Sequence, residues 1–361
     1  MTTTFFIIAI LVLGFLITFQ IAKASEYVAV IRGEEKSRKQ TNKINAFLLL
    51  VFLIVGMFGV YYCNVKLEGK ILKFGSADSD HGLLVDQMMK YTLIATGIVF
   101  VLTQVLLFWY CFKYQEKENQ KAYFFPHSNK LELIWTAVPA IILTVLVTFG
   151  IVYWYRITGP APKEAMTVEI VGSQFKWEYR YPGADKELGQ KYYKKIDPSA
   201  MNPLGQVWED QLGHDDIYIN GQDEPMHLVV NKPVKLVINA KDVIHDVGLA
   251  HFRMKMDAVP GTPTTMWFTP TKTTAEKIKE TGNPDFVYEI SCDQMCGSGH
   301  TNMRGTIVVE TQEAFDQWIA SKKPQYKIAM EVKRVADSTA AASVAPVAPV
   351  AKDTVIAQLK H

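Results

Sequence analysis

Hydrophobic positions fall into two regimes along this chain. As far as about residue 155 they come in long unbroken runs, and beyond it in short alternating ones. The apolar runs cover residues 5–21, 46–63, 92–112 and 133–155. About 20 apolar residues let a helix cross the hydrocarbon core of a bilayer, so each predicts a membrane span. Trp109, Tyr110, Tyr153, Trp154 and Tyr155 stand at run ends, where an interfacial aromatic belt belongs. Polar stretches 23–43, 66–90 and 113–130 separate the runs, the first carrying Lys23, Arg32, Lys36, Arg38, Lys39 and Lys43.

Basic loops face the cytoplasm. That rule puts 23–43 and 113–130 inside, 66–90 outside, and both termini outside. Ala22-Lys23-Ala24 resembles a signal-peptide cleavage site, but the first run lacks a basic n-region. Cleavage would also leave three spans and move the polar half into the cytoplasm. Four retained helices are expected.

The second half predicts strands over 166–171, 174–181, 216–219, 227–230, 234–238, 286–290 and 306–310. So many short strands in so short a stretch predict a two-sheet sandwich. In 174–181 the aromatics Phe175, Trp177, Tyr179 and Tyr181 share one face, as in a half-buried strand. A short helix is expected over 313–319. Residues 186–214 read as a long polar insertion, and the Ala/Val/Pro-rich end as a low-complexity tail.

Composition sharpens this only in part. Of 361 residues 49% are hydrophobic, with a mean hydropathy of +0.06, as a half-membrane chain requires. A net charge of +2 gives no electrostatic footprint for nucleic acid. Four cysteines make no disulfide framework, and Cys63 and Cys111 lie in apolar runs as small hydrophobes.

The other two carry the chemistry. Cys292-Asp293-Gln294-Met295-Cys296-Gly297-Ser298-Gly299-His300-Thr301-Asn302-Met303 sets two thiols, an imidazole and a thioether on one glycine-rich loop between strands. His245 adds a second imidazole. Soft sulfur beside imidazole suits copper, zinc or iron–sulfur chemistry. Five donors exceed a tetrahedral zinc's four, whereas two coppers can use them all. A Cys292–Cys296 disulfide and a Cys2His2 zinc site remain as alternatives.

The Cys-x-x-x-Cys-x-x-x-His-x-x-Met pattern, with Asp242-Val243-Ile244-His245 and Met256-Asp257-Ala258-Val259-Pro260-Gly261 upstream, resembles subunit II of haem–copper cytochrome c oxidases over residues 90–322. The resemblance implies a membrane-anchored all-β protein, in which transmembrane helices precede a cupredoxin-like β-sandwich. It divides the chain into an extra transmembrane hairpin (1–64), a periplasmic loop (65–90), the family's own hairpin (91–156), a periplasmic copper domain (157–322) and a disordered tail (323–361). It further implies two coppers bridged by Cys292 and Cys296. His245 and Met303 complete one, and His300 with the backbone carbonyl of Gln294 the other.

Electrons would come from a c-type cytochrome, soluble or held in a membrane-bound donor complex. They would pass to haem in subunit I, where oxygen is reduced and protons are pumped, so the catalytic site lies outside this chain. Subunits I and III and membrane lipid are the implied partners, and the bacterial plasma membrane the implied location. The family's entry tryptophan maps onto Phe175, a departure, while Trp177 matches. Glu132, in Glu-x-x-Trp-Thr-x-x-Pro, maps onto a proton-channel entrance. Gln294 replaces the usual glutamate and weakens the case for an interfacial magnesium. Without Cys-x-x-Cys-His the chain carries no covalent haem. A membrane-anchored copper chaperone is the alternative class.

Overall fold

The computed structural model describes residues 2–67, 75–116, 121 and 123–344, and part of the expected 65–90 loop and the tail beyond 344 lie outside them. Two compact units emerge among these.

The first unit is helical. Helix α1 (Thr2–Arg32) and α2 (Glu34–Lys66) leave only Gly33 between them, so the basic stretch 23–43 is helical rather than a loop. Gly33 turns the chain at φ 88°, a backbone state glycine adopts freely. Ser37 and Ala46 are buried there. Helix α3 (Asp80–Lys113) and α4 (Asn129–Thr158) complete four helices long and apolar enough to span a membrane.

The start of α3, together with the end of α4, belongs to the second unit. The helix begins about twelve residues ahead of the apolar run because Ser79 caps it, its Oγ accepting from Gly82 N at 2.9 Å and donating to Phe252 O at 2.7 Å. Asp86 accepts from Gly75 N at 2.8 Å and pairs with Arg253 Nε at 2.9 Å. Part of the expected periplasmic loop is thereby a pinned edge of the β domain.

That domain is a sandwich of two five-stranded sheets. One has β1 (Met166–Ser173) flanked by β2 (Lys176–Tyr181) and β5 (Val234–Ala240), with β3 (Ile217–Asn220) and β8 (Thr264–Phe268) at its edges. The other runs β4 (Met226–Val229), β10 (Arg304–Glu310), β9 (Tyr288–Cys292), β6 (His245–Leu249), β7 (Met254–Ala258). Ile170, Leu236 and Phe268 of the first sheet and Val247, Ile290 and Ile307 of the second are fully buried in the shared core. Each such side chain contributes about 1.5–3 kcal/mol over exposure.

Strand β2 is buried on both faces, not half-buried. Behind Trp177, Tyr179 and Tyr181 lie Glu178, paired with Lys176 at 3.1 Å and with Lys241, and Arg180, paired with Glu169 at 2.6 Å and Asp216 at 2.8 Å. Paired charges make that second burial tolerable.

Helix α5 (Thr274–Thr281) carries a full capping box, Thr273 with Glu276, and α6 (Gln312–Ala320) follows β10. The tail expected to be disordered from 323 instead forms α7 (Gln325–Val344). Gln325 N donates to Asp216 O at 2.9 Å, and Tyr326 stacks on His214 with ring centroids 3.8 Å apart. The insertion 186–214 supplies that seat, so the two polar segments fold against each other.

Candidate metal centre

Antiparallel pairing assembles the site from three strand ends. Register sets Val247 of β6 opposite Cys292 of β9, and Arg304 of β10 opposite Ser291. His245 lies two residues back from Val247, on the same strand face. Cys292 N donates to Met303 O at 3.1 Å and closes the loop on itself.

Inside it, Cys292 Sγ and Cys296 Sγ are 3.7 Å apart. His245 Nδ1 lies 3.8 Å from Cys292 Sγ, and His300 Nδ1 lies 3.7 Å from Cys296 Sγ. Met303 Sδ is 3.8 Å from Cys296 Sγ, and Gln294 O is 3.1 Å from Cys292 Sγ. All six expected positions therefore converge. His245, Cys292 and Cys296 are buried, with ligand atoms close enough to share one ion. The sulfurs are free thiols, far from the roughly 2.05 Å of a disulfide. Burial, and then the neighbouring Cys292, push the Cys296 thiol up to about 11. A soft cation must displace that proton to bind.

Two residues outside the donor set hold it together. Asp242 Oδ1 faces His245 Nε2 at 2.8 Å, which leaves Nδ1 toward the sulfurs as the acceptor nitrogen. Its Oδ2 accepts from Gln174 N at 2.7 Å, and the Gln174 side chain donates Nε2–H to Cys296 O at 2.6 Å. Burial alone would raise the Asp242 carboxyl. Hydrogen bonds from Gln174 N, His245 and Val243 N outweigh it and hold the group below the usual range. No role for either residue follows from the sequence. The only trace was Asp242 standing three residues before His245.

The two aromatic candidates part company. Phe175 is half-buried and lies over the loop glycines, so close that a Cβ on Gly299 would sit 2.5 Å from its ring. Trp177 is 1% exposed and meets His245 edge-on at 6.0 Å, so it is an interior neighbour rather than a surface entry point. Glu132 is exposed in the first turn of α4, in the helical unit, where its carboxylate accepts from Ser128 N at 3.4 Å. Gln294 presents its carbonyl to Cys292 Sγ. His227, His214 and His251 of the β domain are engaged elsewhere: His227 stacks on Trp318 and pairs with Glu310 at 2.6 Å, His214 stacks on Tyr326, and His251 meets Phe286.

Residues 68–151 match the model of the cytochrome c oxidase subunit II transmembrane domain, and 166–312 that of its periplasmic domain. The chain belongs to the cytochrome c oxidase subunit II family. Among its relatives is an alternative cytochrome c oxidase subunit 2 of Bradyrhizobium diazoefficiens, 33% identical over 241 residues, covering 66% of this chain and 80% of that one. Cytochrome c oxidase subunit 2 of Cereibacter sphaeroides is 28% identical over 63% of this chain and 73% of its own. The crystal structure of the periplasmic domain of subunit II of Bradyrhizobium japonicum cytochrome oxidase is 22% identical, covers 45% of this chain and 96% of that one, and superposes with a TM-score of 0.30. A subunit II is a component of a haem–copper oxidoreductase complex, a membrane protein with a periplasmic domain and a copper-binding family member. The donor set fits that metal, since thiolate, imidazole and thioether are the ligands copper selects.

Proposed function

We propose that His245, Cys292, Cys296, His300, Met303 and the main-chain oxygen of Gln294 hold two copper ions, with the cysteines shared between them. The observation that carries this reading is the pair of thiols 3.7 Å apart, each with its own imidazole within 3.8 Å. When bound, the copper pair supplies one-electron chemistry between a c-type cytochrome and haem in subunit I, for oxygen reduction coupled to proton pumping. The chain's residues keep that centre rigid and dry. Asp242 fixes the His245 tautomer, Gln174 tethers the Cys296 carbonyl, and Trp177 seals the inner side of His245. Phe175 is the aromatic group of the pair that remains open to a docking donor. Glu132 is proposed to admit protons toward subunit I. Gln294, an amide, gives a divalent ion at the subunit interface a weak ligand. The protein is proposed to be a multi-pass protein of the bacterial plasma membrane.

Metal analysis and paramagnetic resonance of the full-length protein test this reading. Two coppers per chain and an unpaired electron shared by both nuclei are expected. One copper per chain favours a chaperone, and a colourless zinc-loaded protein a structural site. Cys296→Ser should abolish the shared signal and respiratory turnover.

A further inference from the structure

A cavity of about 730 Å³ opens in the second unit where the chain leaves α4. Trp154, Ile157 and Thr158 of the last turns of α4 line one side, followed by the connection 159–163. The outer face of the first sheet forms the floor. There the register places Thr167 of β1, Lys235 of β5 and Trp267 of β8 in one row. Trp267 Nε1 donates to Gly159 O at 2.9 Å, which fixes the rim.

The lining has two chemistries. Val85, Ile157, Met254, Met256, Met266 and Trp267 are apolar. Lys163, Lys235, Arg253 and Lys255 are cationic, and no carboxylate lines the cavity. Two cations have counter-ions outside the lining: Arg253 pairs with Asp86 at 2.9 Å and Lys255 with Asp246 at 3.2 Å. Among the described residues Lys163 and Lys235 have no carboxylate in ion-pair reach, and Lys235 is half-buried. An anion bound there would meet two ammonium groups that no carboxylate among the described residues neutralises.

We propose that this cavity binds the headgroup of an anionic phospholipid. The phosphate would sit against Lys163 and Lys235, and the glycerol and upper acyl carbons against the methionines and Trp267. The volume suits a headgroup with its glycerol rather than a whole lipid. The place suits an amphiphile, because α4 is one of the candidate spans and Trp154 lies where an interfacial tryptophan belongs. A free phosphate would satisfy the lysines and leave the apolar wall wet, so the occupant is a lipid.

Native mass spectrometry of the full-length protein tests this, with phosphatidylglycerol or phosphatidylcholine added to the detergent. One phosphatidylglycerol should stay bound in preference to phosphatidylcholine, and Lys163→Gln with Lys235→Gln should weaken it about tenfold or more. An unchanged copper spectrum in the double variant certifies its fold. Millimolar inorganic phosphate should fail to displace the lipid. Equal retention of both lipids, equal binding by the double variant, or displacement by phosphate overturns the proposal. So does a cross-link from Lys235 to another subunit in the assembled oxidase.

Discussion

Gln174 and Asp242 are separated by 68 residues, yet together they reach both halves of the donor set. Asp242→Ala frees the Nε2–H of His245 and lets the ring change tautomer or rotate. Loss of such an outer partner costs about 10–100-fold in metal affinity. Competition with a chelator should show that loss, while circular dichroism of the strands stays unchanged. Gln174→Ala removes the tether on Cys296 O and should alter the resonance signal without abolishing it. At Gly299 a methyl group would meet Phe175 at 2.5 Å, so Gly299→Ala must displace that ring. About 1–3 kcal/mol of overpacking cost is expected in thermal melts, together with slower reduction by a donor cytochrome. The donors themselves were legible in the sequence because five of the six positions lie within twelve residues at fixed spacing. Gln174 and Asp242 were not. Single polar residues acquire meaning only when sheet pairing brings distant loops together.

Among the elements, alternation found seven of the ten described strands to within two residues and missed β6, β7 and β8. Strand β6 has all five residues buried, Asp246 and Gly248 included, and so carries no period-two signal. Strand β2 misled for the converse reason: its polar face is covered by ion pairs rather than water. The cluster around Arg180 has a consequence for pH. Desolvation raises the Asp216 carboxyl to about 6 although Arg180 opposes it. A carboxyl raised on folding favours the folded state fully below its unfolded pKa near 3.8, and that contribution is lost as pH rises through 6. Relative to Asp216→Asn, the wild-type domain should therefore lose about 1 kcal/mol between pH 5 and pH 7. Paired melts of the two proteins at both pH values measure it. Glu169 and Glu178 shift the other way, held low by their cations against burial, and act only below about pH 4.5. Helix α7 escaped composition-based reading because its alanine-rich end looks like a linker, while Gln325, Tyr326 and Ala329 at its start are seated.

At the scale of the molecule, two rules converge on one topology. Hydropathy gives four spans, and the described residues include four helices of that length and composition. The clustering of basic residues then predicts a direction, because Lys and Arg near span ends favour the cytoplasmic side. An even number of spans ahead of the β domain returns the chain to the side where it started. An extra hairpin can therefore precede the family's two-helix anchor without moving the metal centre to the wrong compartment. Removing α1 alone breaks that parity. With Cys63 and Cys111 replaced by alanine, a cysteine at Lys36, exposed in the first turns of α2, should react with a membrane-impermeant maleimide only after the membrane is opened. A cysteine at Glu187, exposed in the insertion, should react in sealed spheroplasts. The copper-loaded parent, whose buried Cys292 and Cys296 are engaged, sets the background. Labelling of both sites from the same side would mean an even number of spans between them, and α2 could not then be a crossing.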